Sequence, residues 1–325
     1  MTQPSAPPIL DGHEDFLTAM VRQQRDFLSE SATGHVDLPR AQRGGLGGTF
    51  VSVFLTNEQA ELNATGAAIQ QIDRFYDLCE RSLGKVRLVR TVADLDAAWA
   101  ASAFAGILHF EGADPISPSL KELRLFYQGG LRSLGIVWSR PNAFASGVSL
   151  RGPSPTTGLS ERGYALVEQC QRLGIVLDVS HLNPEGFWDL VRVIERPFIA
   201  SHSNAAALSP HPRNLTDEQI RAIAEKDGTI GITFCCAFVR PDCALNPDTP
   251  LELVLAHFEH IIRLVGDRHV AIGSDFDGAT MPRALADAAA LPALVEAFER
   301  RGWSSERIER VCFGNFRRVL AAVWR

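Results

Sequence analysis

Eight short runs rich in Val, Ile, Leu, Phe and Gly recur along the chain, each followed by a helix-like or loop segment. They read PPILDGH, GGTFVSVFL, GILHFEG, RSLGIVW, GIVLDVSH, PFIASHS, GTIGITF and HVAIGSDFDG. Their bodies are nearly continuous in apolar residues rather than alternating, the pattern of parallel strands buried on both faces. Helical spacing fills the gaps. NEQAELNATGAAIQQIDRFYDLCERS carries apolar positions at helical intervals, and SPSLKELRLFYQGG starts on serines and ends on Gly-Gly. LSERGYALVEQCQRLG runs from Ser160 to Gly174, LTDEQIRAIAEKDG from a Thr216 cap to Gly228, and TPLELVLAHFEHIIRLVG repeats the pattern.

Eight strands alternating with helices in 325 residues predict a (β/α)8 barrel, an α/β fold of the TIM type, as a single domain over residues 1–325. The loops near 139–158 and 240–250 are Pro/Gly/Ser-rich excursions from it. A doubly wound open sheet would place a glycine-rich turn after its first strand, and no GxGxxG follows here.

In a barrel, chemistry collects at the C-terminal ends of the strands. The first run ends in DGHED, with His13 and Asp15 two apart and facing the same way if the chain is still extended. Glu111 tips the third run; Asp178 and His181 end the fifth, His202 the sixth, Asp275 and Asp277 the eighth. A lone histidine at a strand end is ordinarily a hydrogen-bonded structural group. Histidines or carboxylates on five separate strand ends are hard to explain by packing. Carboxylates gathered in a cavity repel one another, and a bound cation removes that penalty. Imidazole and carboxylate ligands suit Zn²⁺, with Mn²⁺ or Co²⁺ as alternatives, and the donor count favours two ions sharing Glu111.

A formal net charge of −6 argues against nucleic acid, which requires a concentrated basic face. No apolar window reaches the ~18 residues of a membrane span, and MTQPSAPPIL lacks the basic start and apolar run of a secretory leader. Cys79, Cys170, Cys235, Cys236, Cys243 and Cys312 show no CxxC spacing, so reduced thiols and a cytoplasmic home are expected. A thiolate metal site at CCAFVRPDC is disfavoured, since adjacent cysteines on a strand point apart.

DGHEDF, FEG, VLDVSHLNPEGFWDL, PFIASHSNAAAL, HPRNLTDEQIRAIAEKDGTIGITF, HVAIGSDFDGA and GNFRRVL occur in this order. Through them the chain resembles the membrane (renal) dipeptidase family, peptidase family M19, in a soluble bacterial form. That resemblance implies a (β/α)8 barrel of the metal-dependent amidohydrolase kind. It also implies that His13, Asp15 and Glu111 bind one zinc and that Glu111 bridges to a second held by His181 and His202. Arg213 would receive the free carboxylate of a dipeptide, and Asp275 would shuttle the proton as a metal-bridging hydroxide attacks the peptide bond. Tolerance of a D-residue at the C-terminal position and a homodimer are implied likewise. Three positions depart from the family pattern: Glu14 stands where Asn is usual, and Trp138 stands where many relatives have a histidine contacting the substrate carbonyl. Cys235 stands where some relatives have tyrosine.

Two other readings compete. The same metals could serve an N-acyl amino acid, a β-lactam-like amide or a lactone, or the chain could be a catalytically silent metal-binding scaffold. Among the remaining polar residues, His109 is expected in the core and Asp178 behind a ligand as an orienting carboxylate. His257 and His260 are expected on a solvated or interface face. Arg213 could instead pair with Asp217, and His35 and His211 have no identifiable partner in the sequence.

Overall fold

The computed structural model describes residues 8–150 and 152–325. The stretch read for a secretory leader, apart from its last three residues, and the first residue of the PPILDGH run therefore lie outside the described residues. All eight runs form strands: β1 (Ile9–Glu14), β2 (Leu46–Val53), β4 (Phe104–Glu111), β5 (Leu131–Gly135), β6 (Val176–Asp178), β7 (Ile199–Ala200), β8 (Thr229–Ile232) and β9 (Val270–Ile272). They pair in parallel in the order β1-β2-β4-β5-β6-β7-β8-β9. A parallel bridge between Glu14 and Phe276 brings the two ends together, with Asp15 N–H donating to Phe276 O at 2.9 Å. This is the expected (β/α)8 barrel, nearly closed.

A ninth strand, β3 (Val86–Leu88), has no counterpart among the eight runs. It pairs with Phe104, Ala105 and Gly106 at the start of β4, whereas β5 begins opposite Leu108. β3 thus covers a stretch of edge that β5 leaves bare. Three residues with Arg87 at their centre give too little pattern to read as a strand.

Alternation along β4 divides the packing into two layers. Phe104, Leu108 and Phe110 join the large core between strands and helices, while Ala105 and Ile107 face inward with Leu10, Phe50, Val176, Ile199 and Ala271. Phe316, from the C-terminal helix Asn315–Val323, packs into that inner cluster with its ring 5.2 Å from Phe50. His109 and Glu111 continue the inward row toward the C-terminal rim.

The helices follow their caps. Thr56, Thr91 and Thr216 each form a reciprocal capping box, and Ser160 and Asn183 cap the helices Glu161–Leu173 and Pro184–Val193. Gly174 closes the first of these in a left-handed conformation, as its position predicts. In LTDEQIRAIAEKDG it is Asp227, not Gly228, that turns left-handed. SPSLKELRLFYQGG is helical only over Leu123–Gln128, because the Glu122 carboxylate bonds Ser117 N–H and Oγ and holds the preceding residues in a turn. Among the described residues no helix is long and apolar enough to cross a membrane.

Candidate metal centre

The segment DGHED divides its work. Asp11 Oδ1 accepts from His13 N–H at 3.0 Å and from Ser274 N–H at 2.8 Å, so this carboxylate seals the seam between β1 and β9. Burial pushes its pKa up to about 6. The register of β1 shifts between Asp11 and Glu14, and Asp15 already stands at the N-terminal boundary of the helix Phe16–Gln23, with no capping bond from its side chain. His13 and Asp15 converge through this irregularity rather than by simple strand alternation: His13 Nε2 lies 3.4 Å from Asp15 Oδ2.

Glu111, the last residue of β4, stands between two groups of histidines. Its Oε2 is 3.5 Å from His13 Nε2 and accepts a hydrogen bond from Ser52 Oγ at 3.1 Å. Its Oε1 is 2.9 Å from His181 Nε2 and 3.9 Å from His202 Nε2. The two latter imidazoles bring their Nε2 atoms to 3.0 Å of each other. Their Nδ1 atoms point away, to Ser139 Oγ at 2.9 Å and Ser201 Oγ at 2.7 Å. Asp275 follows β9 in a left-handed conformation, φ 66°, which Asp adopts more readily than most residues. A ligand atom from each of His13, Asp15 and Asp275 falls within a 4.8 Å cluster, as does one from each of His13, Glu111 and His202.

The electrostatics of this rim call for positive charge. Burial resists a charged His13, but the Glu111 and Asp15 carboxylates outweigh it and raise its pKa well above the ordinary value. A field that holds a proton there would also hold a cation. Burial, then Arg213, pushes His181 down to about 4; burial, then His13, holds His202 well below its usual range. Both therefore present neutral imidazoles, the form that ligates metal. Burial raises Asp275 well above the usual carboxylate range, with Asp15 and Glu111 adding to it. His13 Nδ1 and Nε2 and Asp15 Oδ1 are buried with no hydrogen-bond partner among the described residues. Three imidazoles and three carboxylates with orphaned atoms fit one or two divalent ions of the zinc type.

A cavity of about 430 Å³ opens over these residues. Arg213 forms one wall; it is 2% exposed, and its Nε and Nη1 have no hydrogen-bond partner among the described residues. Nη2 donates to His202 O at 3.3 Å and lies 3.4 Å from His181 Nε2. It does not pair with Asp217, whose Oδ1 is 2.7 Å from His260 Nε2 instead. A buried guanidinium with idle donors has the chemistry to receive an anion. Trp138 lines the same cavity beside Phe54, ring centroids 5.2 Å apart, and stands 6.0 Å from His181. Cys235 lines it too, its thiol pushed up to about 12 by burial and the nearby Asp275. All six cysteines are unpaired, and no cysteine joins the candidate metal clusters among the described residues.

Other residues fall into place around the centre. His109 is a core histidine, its Nδ1 3.0 Å from Ser133 Oγ. Asp178 sits behind His202 through Ser201. His257 corrects the sequence reading: it is fully buried, Nδ1 accepting from Ala205 N–H at 3.1 Å and Nε2 donating to Val239 O at 3.0 Å. A polar residue on an amphipathic helix can face inward when distant segments bring it partners, which periodicity cannot reveal. His35 finds Asp277: the two exchange backbone N–H bonds at 2.7 and 2.8 Å, and Arg25 takes the other Asp277 oxygen. His211 lies against Phe238, with Nδ1 accepting from Arg213 N–H at 3.2 Å. Leu150 and Leu245, from the two long loops, edge the cavity mouth although both are exposed. Nothing in the sequence marks Ser52, Ser139 or Ser201 as supports.

The chain is similar over nearly its whole length to known metallo peptidases. The family model for membrane dipeptidase (peptidase family M19) matches residues 4–324. A crystal structure of a metallo peptidase from Rhodobacter sphaeroides, liganded with a phosphinate mimic of the dipeptide L-Ala-D-Ala, superposes with a TM-score of 0.94. It is 37% identical, over 98% of this chain and 100% of that one. A metallo peptidase described as dipeptidase AC superposes at 0.93 with 38% identity, over 98% and 99% of the two chains. Dipeptidase verJ of Clonostachys rogersoniana is 30% identical over 97% of this chain and 84% of its own.

Proposed function

The chain belongs to the membrane dipeptidase family, peptidase family M19, and from that premise we propose that this metallo-dipeptidase uses two zinc ions to cleave dipeptides, including those with a C-terminal D-residue. The whole chain, residues 1–325, acts as one catalytic unit in this reading. His13, Asp15 and Glu111 would hold one ion, and Glu111, His181 and His202 the other. The observation that carries the reading is Arg213, a buried cation with two idle nitrogens in the same cavity as the imidazole–carboxylate cluster. A dipeptide has its carboxylate one residue beyond the scissile bond, so a fixed anion site beside the ligands measures substrate length. The Rhodobacter sphaeroides relative, which binds a phosphinate mimic of L-Ala-D-Ala, supports the choice of substrate.

Bound zinc supplies the Lewis acidity that makes water reactive near neutral pH and draws charge from the carbonyl. Asp275 accepts the proton of the attacking water and returns it to the departing amine, as general base and then general acid. Arg213 donates to the substrate carboxylate and so orients the peptide. Trp138 and Phe54 wall the scissile region; the indole can donate one hydrogen bond but can neither accept a proton nor ligate metal. The unpaired thiols support a cytoplasmic home.

A substrate panel with added zinc tests the proposal. L-Ala-D-Ala and L-Ala-L-Ala should turn over while N-acetyl amino acids, β-lactams and lactones do not. Equal or better turnover of the acylated amino acids would overturn it, as would a zinc-loaded protein inert toward every amide.

A further inference from the structure

We propose that Ser201 is a positioning residue which, polarised by Asp178, locks His202 in the tautomer that turns the Nε2 lone pair toward the metal site. The inference rests on the metal-dependent reading above. It assigns a task to two buried residues that touch neither the metal cluster's ligand atoms nor the cavity.

Hydrogen-bond directions lead there. Asp178 accepts four bonds: Ser180 N–H at 3.1 Å, Ser180 Oγ at 2.8 Å and Ser201 N–H at 2.8 Å on Oδ1, and Ser201 Oγ at 2.6 Å on Oδ2. A carboxylate only accepts, so Ser201 Oγ must spend its single proton on Asp178. The Ser180 hydroxyl, 3.1 Å away, is a weaker and more distant acceptor that already receives His202 N–H. Ser201 Oγ is then left as an acceptor toward His202 Nδ1 at 2.7 Å. Nδ1 must carry the hydrogen, and Nε2 is bare. That nitrogen faces His181 Nε2 and Glu111 Oε1.

The relay is mechanically fixed. Ser201, Asp178 and His202 are each 3% exposed or less. The Ser201 carbonyl occupies space that only glycine leaves free, since a Cβ on Gly231 or Gly273 would come within 2.0 or 1.9 Å of it. Ser203 N–H donates to Gly231 O at 2.7 Å and ties the chain on the other side. His181 is supported differently, by the half-buried hydroxyl of Ser139.

Asp178→Asn is the sharpest probe because it preserves shape and reverses polarity. Three donors converge on Oδ1, so the amide nitrogen takes the Oδ2 position. There it donates to Ser201 Oγ, whose own proton turns toward His202 Nδ1. His202 is then driven to the Nε2–H tautomer, and the lone pair is lost. The same inversion of a histidine by a carboxylate-to-amide change is known from serine protease triads. Ser201→Ala removes the relay, and Ser201→Thr retains its hydroxyl.

Two measurements decide it. The first is ¹⁵N-detected imidazole NMR of the metal-free protein. Wild type and Ser201→Thr should show His202 as Nδ1–H, and Asp178→Asn should show Nε2–H. The second is zinc competition against a chromophoric chelator. Asp178→Asn and Ser201→Ala should weaken one of two ions roughly 10- to 100-fold, leave the other unchanged, and keep a native thermal transition. An unchanged tautomer in Asp178→Asn, or zinc affinity equal to that of wild type in both folded variants, overturns the proposal. Wild-type protein that binds no zinc would instead overturn the metal-dependent reading, while the NMR result on metal-free protein would still stand or fall alone. Should Asp178→Asn fail to fold, Ser201→Ala against Ser201→Thr carries the same comparison.

Discussion

Glu111 Oε1 stands 2.9 Å from His181 Nε2, while the other oxygen of the same carboxylate faces His13 Nε2 at 3.5 Å. One side chain therefore addresses two sets of candidate ligands that arise from opposite parts of the sequence. The barrel makes this possible: Glu111 ends β4, and β1, β6 and β7 deliver the histidines to the same rim. No local segment could assemble such a set.

Replacing Arg213 by methionine should leave zinc content unchanged and depress kcat/KM for dipeptides by roughly 30- to 1,000-fold, about 2–4 kcal/mol for an unpaired charge at a buried site. Steady-state kinetics on a dipeptide and on its C-terminal amide checks the cause. The amide should be a poor substrate for wild type and should lose little further in the variant.

Asp275→Asn separates a base from a ligand. With Asp275 as the proton carrier, kcat should fall by about 10²–10⁴ and the protein should still bind two ions, read by metal analysis after gel filtration. Loss of an ion with the activity would place Asp275 among the ligands, where its proximity to His13 and Asp15 also allows it.

The outline of this site is legible in the sequence because strand ends are legible. Apolar runs mark the strands, and the polar residue that ends each run marks the rim, which brings His13, Glu111, His181, His202 and Asp275 together. What stays hidden is everything set by chain segments meeting from afar. β3 is three residues long and exists because it covers an edge of β4. His257 looks like a helix-surface residue until two distant segments, at Ala205 and Val239, supply its partners. The serines behind the imidazoles carry no pattern at all. The sequence likewise places Asp11 beside the ligands without revealing that it seals the barrel.

Trp138→Ala should enlarge the cavity beside Phe54 and relax selection against bulky side chains. Discrimination between small and large residues at one dipeptide position should shift by about 1–3 kcal/mol, roughly 5- to 200-fold in relative kcat/KM. Competition assays on paired dipeptides measure this directly. Metal content should not change, since indole is no ligand.

His257→Leu tests the fold apart from the chemistry. It strands the Ala205 N–H and the Val239 carbonyl in a buried place, at about 1–3 kcal/mol for each unsatisfied group. Thermal unfolding should drop by several degrees, while kcat per folded molecule stays within about twofold of wild type, a change under 0.5 kcal/mol.

The most direct test of the account is anomalous scattering, collected on both sides of the zinc edge from crystals grown with zinc. Two peaks should flank Glu111, one against His13 and Asp15 and one against His181 and His202. A rim without peaks in zinc-replete protein that still cleaves dipeptides would contradict it.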